Sequence, residues 1–396
     1  MRLSQDRLDV KDKTRSSFFN WRGQFTPEFA GYVLESFTTP GDIVIDPFSG
    51  SGTVLLECSR KNLGCYGFEI NPAAFVMSRF FSFANLPVEN RMRFSSSLER
   101  RISSLIVDFR DLPLFEDKEA YRESYKNLLE FARALLPEIE KTEERVLALN
   151  TLFISEKKKT DDLSHSIISS FNYIRRLLIS LPYTDREISE HLGDARLIYT
   201  NCPVKANVIF TSPPYINVFN YHQNYRAILE TLGWDILKVA RSEIGSNRKN
   251  RGNRFRTVVQ YCLDMEQALG SFWECLRNNG LIILVIGRES NVRRVPFYNG
   301  EIVRKIAQRM GGYRNVANYE RTFLNKFGNS IKEDIIVMRK DKLSPSSSEA
   351  KEIAIEHLKS SLSSAPREIQ EDILDVINNV DSINPSPLFV HKGENI

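Results

Sequence analysis

The sequence predicts an α/β protein built on a doubly wound, mostly parallel sheet, and three observations lead there. First, an apolar strand, Ile43-Val44-Ile45, runs through a Gly-rich turn into a helical stretch and on to a second strand ending on an acid, the order of the first half of a nucleotide-binding sheet. Second, Leu281 to Ile286 is apolar without interruption, as in strands covered on both faces. Third, 396 residues with 42% hydrophobic and 26% charged side chains supply both a full core and a solvated surface, enough for one large domain with an insertion or two modest ones.

The elements follow in order. After a polar N-terminal arm, Thr26-Pro27-Glu28 opens an amphipathic helix (Phe29, Val33, Leu34, Phe37) with Thr26 as N-cap and Pro27 at the first helical position, and Thr39-Pro40-Gly41 ends it. The first strand leads through Asp46-Pro47-Phe48-Ser49-Gly50-Ser51-Gly52-Thr53 into a helix over Val54 to Lys61, and a strand over Cys65 to Phe68 ends on Glu69. From about 90 to 186 apolar residues recur at helical spacing, as in Tyr121-Tyr125-Leu128-Leu129-Phe131-Leu135-Leu136 and Ile167-Ile168-Phe171-Ile174-Leu177-Leu178, so this stretch is a mostly helical insertion. The sheet resumes with Val208-Ile209-Phe210. A helix over 262–278 stopped by Asn279-Gly280, the strand Leu281 to Ile286, a helix over 299–310 and a last strand Asp334 to Met338 complete it. The Ser/Pro run Ser344 to Ser348 reads as a linker. Residues 349–379 then form one or two exposed helices, dispensable for chemistry, with a loose end.

Five cysteines without a C-x-x-C pair and five scattered histidines argue against a disulfide framework and a structural metal. The N-terminus lacks a signal-peptide core and no apolar run approaches about 18–20 residues, so the chain reads as cytoplasmic, with no membrane segment. Residues 341–396 hold five Lys/Arg against ten Asp/Glu, a net of −5, which leaves +9 of the overall +4 on residues 1–340. A basic body fits a polyanionic partner.

Two segments carry chemistry. In Asp46 to Thr53 the backbone turns tightly between strand and helix, and Gly50 and Gly52 permit close approach of a ligand. Glu69 follows Asp46 by 23 residues, close to the spacing of about 20 for a carboxylate that grips a ribose diol. No G-K-[ST] phosphate loop is present, which disfavours ATP or GTP hydrolysis. Directly after Val208 to Phe210 comes Thr211-Ser212-Pro213-Pro214-Tyr215. Its two prolines remove N–H donors beside the Ser212 and Pro213 carbonyls, and Tyr215 adds a flat ring. The set suits a planar amine held by the Ser212 hydroxyl and the Pro213 carbonyl; a plain proline-rich strand exit is the alternative.

Together, DPFSGSGT and TSPPY resemble the amino-methyltransferase family, S-adenosylmethionine-dependent enzymes that methylate exocyclic nitrogens of cytosine or adenine in DNA. The resemblance covers most of 18–340 and implies a Rossmann-like class I methyltransferase fold, with a helical insertion and a helical C-terminal tail as the additions. It implies a catalytic domain in 1–89 and 187–340; the helical insertion at 90–186 is a candidate target-recognition element, and 341–396 are a linker and acidic tail. It places Ser212, Pro213, Pro214 and Tyr215 in catalysis. Phe25, Thr26, Asp46, Phe48, Gly50, Ser51, Gly52, Thr53, Glu69 and Asn71 fall at the cofactor. Gln24-Phe25-Thr26-Pro27 is similar to an element whose aromatic lies against the cofactor, and in Gly193-Asp194-Ala195-Arg196 the Asp194 carboxylate would accept from its adenine amine; a helix cap is the other reading of Asp194. SPPY is associated in the family with N4 of cytosine, whereas DPPY is usual for N6 of adenine. The cofactor loop precedes the catalytic loop here, the reverse of many SPPY members. No Pro-Cys dipeptide is present, so ring attack of the C5-cytosine type is not expected. The implied function is site-specific methylation of N4 of cytosine on a flipped base of duplex DNA, with room for a cognate restriction endonuclease as partner. Adenine N6, an RNA substrate, or a catalytically silent nucleotide-fold module are the alternatives.

Between Arg241 and Arg256 the chain carries six Lys/Arg, namely Arg241, Arg248, Lys249, Arg251, Arg254 and Arg256, against one Glu. Glycines and asparagines lie between them, so this reads as a DNA-binding loop or as an ordinary solvated one. Asn217, Asn220, Tyr221, His222, Asn224 and Tyr225 are candidates for the wall of a flipped-base pocket, with His222 either a base or, as favoured, a hydrogen-bonded structural residue.

Overall fold

The computed structural model describes all residues except 1–2, 12, 108–117, 159–161, 217–220, 247–249, 251, 326–327 and 391–396. The main sheet contains β1 (Ile43–Asp46), β2 (Gly64–Glu69), β3 (Ile188–Leu192), β4 (Ala206–Thr211), β5 (Leu276–Gly287), β8 (Tyr313–Leu324) and β9 (Ser330–Lys340); β6 (Glu289–Val292) and β7 (Val295–Tyr298) form a separate hairpin. The order is β3-β2-β1-β4-β5-β9-β8. The first five strands are parallel neighbours, while β9 runs antiparallel to both β5 and β8. The winding direction reverses between β1 and β4, where Val44 pairs with Val208 and Ile45 with Ile209. That is the crevice at which open α/β sheets bind ligands.

Strand alternation divides the core into two layers. Val44, Cys65, Val208, Phe210, Ile283, Val285 and Val337 face one side, and Ile45, Tyr66, Phe68, Ile209, Ile282, Leu284, Ile286 and Ile336 face the other. The insertion packs on the first side. Its helices Val88–Ile106, Lys118–Leu135, Thr142–Lys158 and Leu163–Ser180 place Leu98, Ile102, Phe131, Leu149, Phe153, Ile167 and Phe171 in the same core as Val44. Arg91, almost fully buried, joins its two ends by donating to the carbonyls of Leu86 (2.7 Å), Leu181 (2.6 Å) and Pro182 (3.0 Å). A planar fork of donors is well suited to gathering helix-terminal carbonyls.

The helices Pro27–Phe37, Thr53–Arg60 and Asn299–Met310 lie where the periodicity puts them. Thr26 sits at the N-cap of the first, but its hydroxyl makes no capping bond. The expected helix over 262–278 is shifted, spanning Arg256–Cys275, and β5 takes in Asn279-Gly280 rather than following it. Strands β3, β6, β7 and β8 lie outside the strands that apolar patterning predicts. β8 alternates in burial only weakly because it is an edge strand with a solvated face.

The acidic C-terminal segment is not an exposed, loose tail. Helices Ala350–Ser361 and Arg367–Asn378 insert Ile353, Ala354, Leu358, Ile369, Ile373 and Val376 into the core on the second face of the sheet. Their acids meet the basic body, as in the Arg293–Asp372 and Lys305–Glu356 pairs. A helix with an apolar stripe of this kind must cover another surface to be stable in water. Ile373 is fully buried, so Ile373→Ala should lower unfolding free energy by about 2–5 kcal/mol. Urea denaturation checks this; a loss under half a kcal/mol would mean that the helix contributes little to the core.

Candidate functional site

Two loops leave the carboxyl ends of adjacent strands and are tied together there. The Thr211 hydroxyl donates to Asp46 Oδ1 at 2.5 Å, while the Phe48 N–H reaches the same oxygen at 3.2 Å. Burial pushes the Asp46 carboxyl up to about 7 despite these donors. Gly50, in the left-handed region at φ 53°, turns its N–H to Glu69 Oε2 at 2.9 Å, and the Asn71 N–H bonds Oε1 at 2.8 Å. Asn71 then caps the helix Pro72–Arg79 by accepting from Ala73 N–H at 3.0 Å. Desolvation likewise raises the Glu69 carboxyl to about 7 against the pull of those two N–H groups. Beneath the loop the buried Glu190 accepts from Ser49 Oγ at 2.7 Å, and burial holds its carboxyl well above the usual range.

In the second loop the Ser212 hydroxyl lies 3.5 Å from the Tyr215 hydroxyl, which also donates to Glu333 at 3.3 Å. The Tyr215 ring packs so tightly on Gly287 that a Cβ there would stand 2.6 Å from it. Gly245, at φ 74°, packs against the Tyr215 carbonyl with no room for a side chain. The Ile216 N–H donates to the buried Asn299 at 3.2 Å. The catalytic-type loop is thus held by four later residues, Gly245, Gly287, Asn299 and Glu333.

Both loops open into one cavity. It collects Phe25, Asp46, Phe48, Gly50, Ser51, Thr53, Glu69, Asn71, Asp194, Ser212, Pro213, Pro214 and Tyr215. Thr26 and Gly52 do not line it. Gly52 (φ 85°) is required instead by packing, since a Cβ would come within 2.5 Å of the Phe81 ring and 2.8 Å of Ser78 Cα. Phe25 reaches the wall, but one face of its ring is spent on Phe210, stacked at 5.0 Å. Asp194 departs furthest from its expected role. Oδ1 accepts from Arg196 N–H (3.0 Å) and Nε (2.9 Å), and Oδ2 from Arg196 Nη2 (2.5 Å) and the Phe389 N–H (3.1 Å). With both oxygens doubly engaged, it is a cap and ion-pair partner rather than a ready acceptor for an adenine amine.

Of the basic segment, Arg241 and Arg254 are exposed, whereas Arg256 donates to Ser382 at 3.2 Å and Asn253 to the Asp372 carbonyl at 2.7 Å, turning that end toward the C-terminal helices. Arg248, Lys249, Arg251, Asn217 and Asn220 lie outside the described residues. Tyr225 is in the core against Phe153, away from the cavity. His222 is buried behind the cavity wall with Nδ1 3.1 Å from Glu243 Oε2, the structural role favoured for it. Sequence reasoning missed Trp21, Glu190 and Glu243; Tyr221, one of the wall candidates, lines the cavity. Trp21 and Tyr221 stack at 5.8 Å across the mouth, and Ser51 donates to Gln24 at 2.5 Å beside them. Two hundred residues separate the stacked pair, so no local signal joins them.

A family model described as DNA methylase matches residues 5–79, which hold the Gly-rich loop, Glu69 and Asn71. Residues 5–79 are thus similar to the DNA amino-methyltransferase family. A Type II methyltransferase, M.MjaII of Methanocaldococcus jannaschii, is 36% identical over 72 residues, 18% of this chain and 14% of that protein. A second, M.XycI of Xanthomonas campestris pv. cyanopsidis, is 48% identical over 48 residues, 12% of this chain and 16% of its own. The matched segments thus span about one seventh of each relative's length. Among solved structures, TrmN from Thermus thermophilus aligns over 81% of this chain and 50% of its own with 12% identity and a TM-score of 0.34, and a putative rRNA-methylase from Clostridium thermocellum over 79% and 95% with 10% identity and 0.33.

The family's cofactor is S-adenosylmethionine. The cavity fits such a molecule: Pro47, Phe48, Ile70 and Ile244 offer apolar walls for a flat ring, Glu69 a carboxylate for a diol, and one buried Glu243 oxygen lacks a partner. Among the described residues no group of three or more His, Cys, Asp or Glu could hold a metal ion, and no helix is long and apolar enough to cross a membrane.

The raised carboxyls predict how stability varies with pH. Asp46 and Glu69 ionise near 3.8 and 4.5 when unfolded but near 7 when folded, so between those values the native state binds more protons. The contribution of these two carboxyls to stability of the protein without cofactor should therefore be fully present below about 4 and be lost as pH rises toward 7. Urea unfolding at stepped pH measures the slope. Glu69→Gln should make it shallower, and an unchanged slope would deny Glu69 the shift.

Proposed function

We propose that the protein transfers a methyl group from S-adenosylmethionine to the exocyclic N4 of cytosine in duplex DNA. The observation carrying this reading is the Thr211–Asp46 bond, which joins the Gly-rich loop and Ser212-Pro213-Pro214-Tyr215 at a single cavity. When bound, S-adenosylmethionine supplies an electrophilic methyl group on a sulfonium. Glu69 holds the cofactor ribose, and Gly50 with Phe48 allows close approach along the loop. Ser212 Oγ and the Pro213 carbonyl accept the two hydrogens of the amine, which aims its lone pair along the line of displacement. Tyr215, fixed by Gly287 and Glu333, offers the base a ring to lie against. The base must leave the duplex stack to reach this depth. Alignment of two bound reactants supplies several of the about 7–11 kcal/mol available from proximity. The methylated nitrogen is strongly acidic while cationic, so its proton passes to water without a dedicated base.

DNA phosphates engage the basic segment through Arg241, Arg248, Lys249, Arg251 and Arg254, and the insertion at 90–186 is the candidate for reading the target sequence. A DNA substrate agrees with the cytoplasmic expectation. A companion restriction endonuclease belongs to the proposal only through the Type II names of the two relatives.

Ser212→Ala should lower turnover far more than cofactor affinity, because its hydrogen bond matters when the amine attacks. Glu69→Ala should weaken S-adenosylmethionine binding by about 1.5–3 kcal/mol in calorimetry. Mass spectrometry of nucleosides from methylated duplex decides the product: N6-methyladenine alone would move the target base while keeping the mechanism, and 5-methylcytosine would sink both. Neutralising Arg248, Lys249 and Arg251 together should flatten the log–log salt dependence of DNA binding by up to about 0.9 per lost contact. An unaltered slope would point to the helical insertion as the phosphate-binding surface.

A further inference from the structure

Residues 242–246 form a strap across the cavity. At one end the Ser242 carbonyl accepts from Arg196 Nη2 at 3.3 Å, beside Asp194; at the other Gly245 packs against the Tyr215 carbonyl. Between these anchors Glu243 is turned inward and is only 7% exposed. Its Oε2 is held by His222 Nδ1 at 3.1 Å, whereas Oε1 is buried in the wall without a hydrogen-bond partner. A carboxylate oxygen left in that state is costly unless a ligand satisfies it. Glu69 stands close by, near enough for the Glu243 charge to help raise its carboxyl, and Tyr221 feels both.

Asp46, Glu69 and Glu243 therefore converge on one space, and Arg22 is the one basic residue among the described residues of the lining. Such a wall favours a cation. A neutral exocyclic amine is already served by Ser212 and the Pro213 carbonyl, and it lies at the opposite end of the strap from Ser242. We propose that Glu243, held by His222, is a second cofactor-facing carboxylate whose charge discriminates between the cationic methyl donor and its neutral thioether product. Methyl transfer breaks the carbon–sulfur bond and leaves its electron pair on sulfur, so the sulfonium charge disappears and the attraction of Glu243 with it. The spent cofactor is released more readily in consequence. This rests on the reading of the cavity as the S-adenosylmethionine site.

Isothermal titration calorimetry of the full chain with S-adenosylmethionine and with S-adenosylhomocysteine tests it. In Glu243→Gln the donor should bind about tenfold more weakly, as for loss of one partly screened charge pair, and the product less than about twofold. Equal losses for both ligands, or no loss for either, overturn the role of Glu243 while leaving the cavity as a cofactor site. Failure of the unmutated chain to bind either molecule overturns the reading of the cavity itself. Should Glu243→Gln not give the wild-type circular dichroism spectrum, Glu243→Asp withdraws the charge by one methylene; a smaller loss confined to the donor supports the role, and an unselective loss overturns it.

Discussion

The hydrogen bond from Thr211 to Asp46 is the point on which the cavity depends. Parallel pairing of β1 and β4 brings the two strand ends side by side, but pairing alone leaves their loops free to diverge. The 2.5 Å bond fixes them at the crevice floor, and burial that raises the Asp46 carboxyl to about 7 also keeps water from competing for it. From there the first loop climbs to Glu69 through the Gly50 N–H, and the second to Tyr215 and Glu333. Each succeeding contact is set by the separation that this bond imposes.

A second polar node, built on Arg196, closes the edge of the cavity. Its guanidinium, fully buried, gathers Asp194, Asp264 and the carbonyls of Ser386 and Pro387, and Ser386 returns two bonds to Asp264 at 2.8 and 2.6 Å. A buried charge is tolerable only when its donors and partners are saturated. The consequence is a C-terminal segment that reaches back to the cavity edge, nearly two hundred residues from Asp194. Acidic composition alone suggests a tail repelled by a polyanion; in the folded chain Asp372, Glu356 and Glu349 instead pair with Arg293, Lys305 and Arg309 of the body.

The roof of the cavity shows the same division between local and distant causes. Gly50 and Gly52 both have positive φ, and the turn needs both, yet only Gly50 lines the ligand space while Gly52 accommodates Phe81. Trp21 and Tyr221 complete the mouth from opposite halves of the chain.

Sequence by itself determined the strand, Gly-rich turn, helix and strand from Ile43 to Glu69, the SPPY loop after β4, and the helical character of 90–186. Those features are legible because turn chemistry and apolar periodicity act between residues close in the chain. It also singled out Asp46, Gly50, Glu69, Ser212 and Tyr215, which the fold assembles around one cavity. Tertiary structure alone decided that the C-terminal helices belong to the core, that Asp194 is consumed by Arg196 and Phe389, that Glu190 supports the Gly-rich loop through Ser49, and that Glu243 lines the cavity. A lone acid in sequence carries no mark of burial: whether it is a solvated surface charge or a desolvated ligand-facing group depends on which distant segments exclude water from it.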